Sequence, residues 1–267
     1  FDSSVIFNSF YFTEIKPLIY FILIFSFIFL IGIYDDKYSL SPLLRLFLIS
    51  ILIIFYLISD NTAQLNILKF SFTDIDIRFG MGSIMFTYLC LIILLISCNM
   101  FDGINLQSFL FYFFNFVFLF FLQENIFILL IALSLIFFGL VNYNGKLFIG
   151  DSGVYLISFL LGIFYIKYYN FNIASLNSDT IFSILFFPVL DSSRCIFFRI
   201  IYGKNPFQGD KNHFHHLLIK KYSLLKSLII LSLVILIPFI VYYSDLSIFY
   251  SIITTLIIYF FFYFKLS

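Results

Sequence analysis

The sequence predicts an all-α, polytopic membrane helix bundle of about nine spans, and three observations predict it. Of its 267 residues 63% are hydrophobic and the mean hydropathy is +1.10, whereas soluble domains hold roughly 45–50% apolar residues. The apolar residues fall in long runs, close to the about 20 that a spanning helix needs. Charged residues make up only 11% of the chain, and most of them collect between the runs.

Taken in order, the runs are 17–34, 43–59, 81–99, 106–122, 125–142, 153–169, 180–201, 226–243 and 246–264. The first ends at Asp35 and Asp36, and the second is introduced by Ser41 and Pro42, an N-cap residue followed by a first-turn proline. The third ends in Asn99-Met-Phe-Asp102-Gly-Ile-Asn105, and the fifth leads through Gly145–Gly153 into the sixth. The seventh carries Asp191 and Arg194 near its end. The longest polar stretches are 60–80 and 202–226, and no soluble domain, internal repeat or low-complexity linker separates the runs. Residues 1–267 therefore read as a single membrane-embedded domain. Cys90, Cys98 and Cys195 show no metal or disulfide spacing and read as small buried apolar residues.

Nine spans alternate in direction, which sorts the loops into two sets. Eleven of the fifteen Lys and Arg fall on the side of Lys37, Lys146 and Lys204, against Lys16, Lys69, Arg78 and Lys167 on the other. The positive-inside rule makes the first side cytoplasmic. All three histidines and Asp35, Asp36, Asp102, Asp151, Asp191 and Asp210 share it. The spans are nearly free of charge at mid-membrane, where a transporter often places polar groups, so the pattern favours an interfacial site over an ion path. The net charge of +1 says nothing by itself about an acidic partner, and no nucleic-acid partner is expected.

Each motif has two readings. Adjacent carboxylates at 35 and 36 repel one another, which suits cation binding or general-base work; they also make a plain polar stop. Asn99 and Asp102 would share one face if their helix persists, an oxygen-only pair suited to Mg²⁺ or Mn²⁺; a polar helix end with a glycine turn is the plainer and weaker alternative. Asp151 or Ser152 could cap the sixth span, or that helix end could face a phosphate. Asp191 and Arg194, at i and i+3, allow an ion pair. Lys204, Lys211, His213, His215 and His216 cluster with Asp210. Zinc is one reading of His-Phe-His-His, but no cysteine or glutamate is near in sequence, and the lysines favour phosphate.

In order and on one face, the Asp-Asp pair, NMFDGIN, GKLFIGDSG and PFQGDKNHFHHLL resemble the polyprenyl-phosphate N-acetylhexosamine-1-phosphate transferase family, over about residues 17–264. The resemblance implies a glycosyltransferase of a bacterial inner membrane, multi-pass with a cytoplasmic site. It implies transfer of a sugar 1-phosphate from a UDP-sugar to undecaprenyl or another polyprenyl phosphate, releasing UMP. Asp35, Asp36 and Asp102 would then be catalytic, with Asp35 acting on the lipid phosphate. Asn99 and Asp151 would hold Mg²⁺ or Mn²⁺. Asn105, Lys146, Asp191, Arg194, Asp210, Lys211, His213, His215 and His216 would bind substrate, Asn105 near the base. The HxHH form is similar to the branch using UDP-N-acetylglucosamine for O-antigen, enterobacterial common antigen or teichoic acid, rather than the peptidoglycan branch. A homodimer is a further expectation, and a lipid-glycan transporter is the rival class.

Three departures accompany the resemblance. The family usually begins with two more spans, so the chain is expected to lack its first two transmembrane helices. Ile96 stands where a further Asn is common, and Leu106 where Gly is usual.

Overall fold

The computed structural model describes residues 14–172, 175–206, 211–244 and 246–266. Among them lie ten α-helices: α1 (Ile15–Tyr38), α2 (Pro42–Ser59), α3 (Ser83–Phe101), α4 (Gln107–Gln123), α5 (Ile126–Tyr143), α6 (Gly150–Phe171), α7 (Ser178–Ile201), α8 (Phe214–Lys221), α9 (Leu224–Tyr242) and α10 (Phe249–Leu266). Eight are long and apolar enough to cross a membrane, and α4, at 17 residues, is a shorter apolar helix. Every predicted run thus lies on a helix, and the chain is a polytopic all-α membrane protein.

The stretch 60–80 is more than a polar loop. There β1 (Ile67–Phe70) pairs antiparallel with β2 (Thr73–Arg78), Ile67 opposite Arg78 and Leu68 opposite Ile77. The sequence carries the signal in the strict alternation of Thr73-Asp-Ile-Asp-Ile-Arg78.

Alternating helices give the bundle two ends. At the hairpin end, Lys69 donates its backbone N–H to the Tyr169 hydroxyl at 2.8 Å and Phe72 stacks near Phe249. A buried ion pair also lies there: Lys167 Nζ is 2.7 Å from Asp60 Oδ2, and Tyr56 and Thr62 donate hydroxyls to the same carboxylate. Such a pair survives burial only when its remaining bonds are satisfied. The four motif-bearing segments lie at the other end, the motif end.

α6 is the axis. In its most apolar window 78% of residues are buried, against 17–44% in the other seven spans, because α1, α3 and α4 all pack on it. Close approach requires small residues: a Cβ on Gly32 of α1 would lie 2.2 Å from Ser152 Cα, and one on Gly162 2.6 Å from a Leu91 methyl. An apolar groove of about 510 Å³ opens between α3, α7 and the hairpin. Cys98 and Cys195 are buried as expected, but Cys90 is exposed on α3 where it lines this groove. In a membrane an outward-facing thiol meets lipid, so span composition alone does not separate the two cases.

Candidate active site

Two helix junctions build the first half of the site. Ser41 caps α2 and Pro42 is its first residue, and the turn before them aims the Leu40 N–H at Asp35 Oδ1, 2.7 Å away. Arg45, one turn into α2, then reaches across: its Nη1 donates both to Asp35 Oδ2 and to Asp151 Oδ2 on α6. The guanidinium also lies 5.3 Å from the Tyr155 ring, within cation–π range. Asp35 is only 5% exposed, while Asp36 faces outward.

Asp36 has a different task. Its Oδ1 accepts the Asp151 N–H at 3.0 Å, and its Oδ2 accepts the Ser152 hydroxyl at 2.7 Å and, more distantly, the Ser152 N–H. Neither Asp151 nor Ser152 caps α6 from within, since the helix begins at Gly150. The cap comes from α1, and the anion that the positive helix end attracts is this carboxylate. Gly150, at φ +66°, makes the turn possible, and a Cβ there would lie 3.0 Å from the Asp36 carboxylate.

The second half joins the DGIN turn to the histidine helix. α3 stops at Phe101, and Asp102 leaves helical geometry at ψ 78°. The expected shared face of Asn99 and Asp102 is therefore lost: Asn99 stays half-buried on the last turn, and Asp102 turns to accept the Ser108 hydroxyl at 2.6 Å. Burial pushes the Asp102 carboxyl above its usual range, against that hydrogen bond. Gly103 abuts His215 so tightly that a Cβ would meet its Nε2. Gln107 lies 3.2 Å from His215 Nδ1. His215 is 1% exposed; burial, then the neighbouring His216 and His213, push its pKa down to about 3. His216 is half-exposed and shifted the same way, by burial first and then by its neighbours, Lys211 and Lys220 among them.

Asp191 organises the third cluster. It accepts from Arg194 at 2.8 Å, from the Tyr259 hydroxyl at 2.7 Å, from His213 Nδ1 at 2.9 Å, and from the Phe214 N–H that opens α8 at 3.1 Å. Arg199 Nη2 lies 3.3 Å from His213 Nε2. A guanidinium only donates, so Nε2 accepts and Nδ1 carries the hydrogen given to Asp191. Both ring nitrogens are engaged, which makes His213 the pin of α8. Cys195 does come within 3.5 Å of His213, and Asp191, Cys195 and His213 converge as three metal-ligand types would. Arg194 and Arg199 already contact these atoms, and two guanidinium charges oppose a further cation there.

The remaining expected residues fall around these clusters. Asn105 sits by Gly145, whose Cβ would be 3.5 Å from its amide nitrogen, and Lys146 and Lys211 are exposed. Asp210 lies outside the described residues. α4 also contacts α6, where Tyr112, one turn beyond Ser108, shares a 2.7 Å hydrogen bond with Ser158. Sequence reasoning counted Arg45 only as a loop cation. Arg199 was counted in the same way, and no role was given to Gln107, Ser108 or Tyr259. Arg45 was discoverable: a cation in the first turn of a span opposes both burial and the helix dipole, and so calls for carboxylate partners.

Comparison with known proteins adds one family. No curated protein matches the chain. The model of Glycosyl transferase family 4 matches residues 18–169, more than half of the chain, from α1 almost to the end of α6. Asp35, Asp36, Arg45, Asn99, Asp102 and Asp151 lie within the match; α7 and the histidine helix lie beyond it. The chain belongs to Glycosyl transferase family 4, the polyprenyl-phosphate sugar-1-phosphate transferases.

Proposed function

We propose that the protein transfers an N-acetylhexosamine 1-phosphate from a UDP-sugar to undecaprenyl or another polyprenyl phosphate, releasing UMP, at the cytoplasmic face of a bacterial inner membrane. The observation that carries this reading is the meeting of two distant motifs, where Arg45, 106 residues before Asp151, joins it to Asp35. Two phosphate-bearing substrates repel each other, and a site that brings them together needs cationic and hydrogen-bonding groups at one point. In this reading Asp35 orients the lipid phosphate and accepts its proton as its oxygen attacks the sugar-bearing phosphorus. Asp36 holds the start of α6 in place. His215, His216 and Lys211 approach the nucleotide diphosphate, while Asp191 and His213 position their helix.

Asn99 and Asp151 would hold Mg²⁺ or Mn²⁺ beside Asp35. The donors are all oxygens, and two carboxylate oxygens already converge on one cationic nitrogen, which suits a hard divalent ion. Such an ion supplies neutralisation of phosphate charge when bound.

The test is direct. Membranes containing the protein are given a polyprenyl phosphate and labelled UDP-N-acetyl sugars, and the lipid product is identified. Labelled lipid diphosphate sugar with equimolar UMP is expected, dependent on Mg²⁺ or Mn²⁺ and abolished by Asp151→Ala without loss of membrane insertion. Transfer undiminished in excess EDTA would overturn the metal assignment, and a muramoyl-pentapeptide product would move the protein to the peptidoglycan branch.

A further inference from the structure

Arg45 is placed where a helix least favours a cation, in the first turn of α2 near the positive end of its dipole. It remains there because Asp35 and Asp151 both accept from the same nitrogen, Nη1. The rest of its bonding is incomplete. Its Nε is buried with no hydrogen-bond partner, and a stranded buried donor is a destabilising feature that needs a reason.

One explanation covers both facts. The two carboxylate oxygens define a point that a cation prefers, and a guanidinium and a divalent ion cannot share it. We propose that Arg45 is the internal counter-ion of the cation position. It holds Asp35 and Asp151 together while no divalent ion is bound, yields that position when the ion arrives, and then turns its guanidinium, Nε–H included, to a substrate phosphate. The inference rests on the transferase reading above, and it assigns Arg45 two successive partners of the same chemistry, carboxylate then phosphate. Its distinctive consequence is antagonism: Arg45 competes with the metal but is required for turnover.

Mn²⁺ binding to the purified full chain, without substrate, reads the first half by electron paramagnetic resonance. Removing one nearby positive charge in Arg45→Gln should tighten Mn²⁺ binding about tenfold, a size set by one partly screened charge. Arg45→Lys keeps the charge and should leave Mn²⁺ affinity near that of the wild type. Both variants should lose kcat for sugar-phosphate transfer, because lysine lacks the fork that binds phosphate through two donors. A residue that merely braced the fold would weaken metal binding when removed. Should Arg45→Gln bind Mn²⁺ no more tightly than wild type while its melting temperature shows it folded, the counter-ion assignment falls and the transferase reading stands. If Arg45→Gln does not fold, loss of wild-type Mn²⁺ affinity in Arg45→Lys overturns the assignment instead. If wild type transfers no sugar phosphate from any UDP-sugar, the transferase reading falls, and the Mn²⁺ measurement still decides whether Arg45 competes with a cation.

Discussion

Leu106 holds a backbone conformation that a β-carbon disfavours, at φ +67° just before α4. The turn needs it, because the Leu106 N–H must reach Asn142 Oδ1 at 2.6 Å while the Asn142 amide reaches Leu147 O at 2.7 Å. Those bonds lock the DGIN turn to the loop before α6. The glycine usual at this position would adopt the conformation without the cost of about 1–2 kcal/mol that an L-residue meets there. Comparing Leu106→Gly with Leu106→Ala isolates the backbone, since both lose the leucine side chain. We predict that the glycine variant is the more stable by about 1 kcal/mol in thermal unfolding in detergent, the reverse of the helix-interior order; an alanine variant equal or superior would refute the strain. At this scale the sequence named Asp35, Asp36, Asp151 and His215 because acids and histidines are scarce in a membrane chain. It missed Arg45, whose meaning depends on which carboxylates the fold brings within its reach.

α6 sets the geometry of the carboxylates, and its start is fixed by a neighbour. Gly32 lets α1 approach until Asp36 lies over the first N–H groups of α6. Gly32→Ala would place a methyl within 2.2 Å of Ser152 Cα, backbone that cannot swing aside. The two helices would have to separate, and overpacking of this kind costs typically about 1–3 kcal/mol. The expected result is a lowered melting temperature together with a fall in transfer larger than the stability loss alone explains, because the Asp36 cap and the Arg45 bridge stretch together. Normal activity at normal stability in Gly32→Ala would show that this crossing does not set the site. The eight long helices and the shorter α4 were legible because each apolar run approaches the length of a bilayer span. The end of α3 was legible too, but the turn of Asp102 onto the Ser108 hydroxyl was not, since it depends on a contact made only in the folded chain. The same holds for α8, which is anchored by a carboxylate 23 residues earlier in the chain.

For the whole molecule, the division into two ends is both an electrostatic and a packing result. The Asp60–Lys167 pair closes one end of α6, and the Arg45–Asp151 bridge closes the other, so the central helix is tied at both extremities. Between them buried polar groups pair across helices, as where the Tyr165 hydroxyl meets Asn115 Oδ1 at 2.8 Å, an arrangement that packs helices in lipid. Eleven of fifteen basic residues lie toward the motif end, and on the positive-inside rule we propose that this end faces the cytoplasm. The proposed reaction requires that side, since its UDP-sugar would be supplied from the cytosol. Asp74 in the hairpin and Lys146 before α6 are both exposed, at opposite ends. Single cysteines are placed at each in a chain whose Cys90, Cys98 and Cys195 are replaced by alanine. A membrane-impermeant thiol reagent should label Asp74→Cys in intact spheroplasts and Lys146→Cys only after permeabilisation. The reverse pattern would put Asp35 and Asp151 at the outer surface, away from any cytosolic UDP-sugar, and would overturn the proposed cytoplasmic reaction.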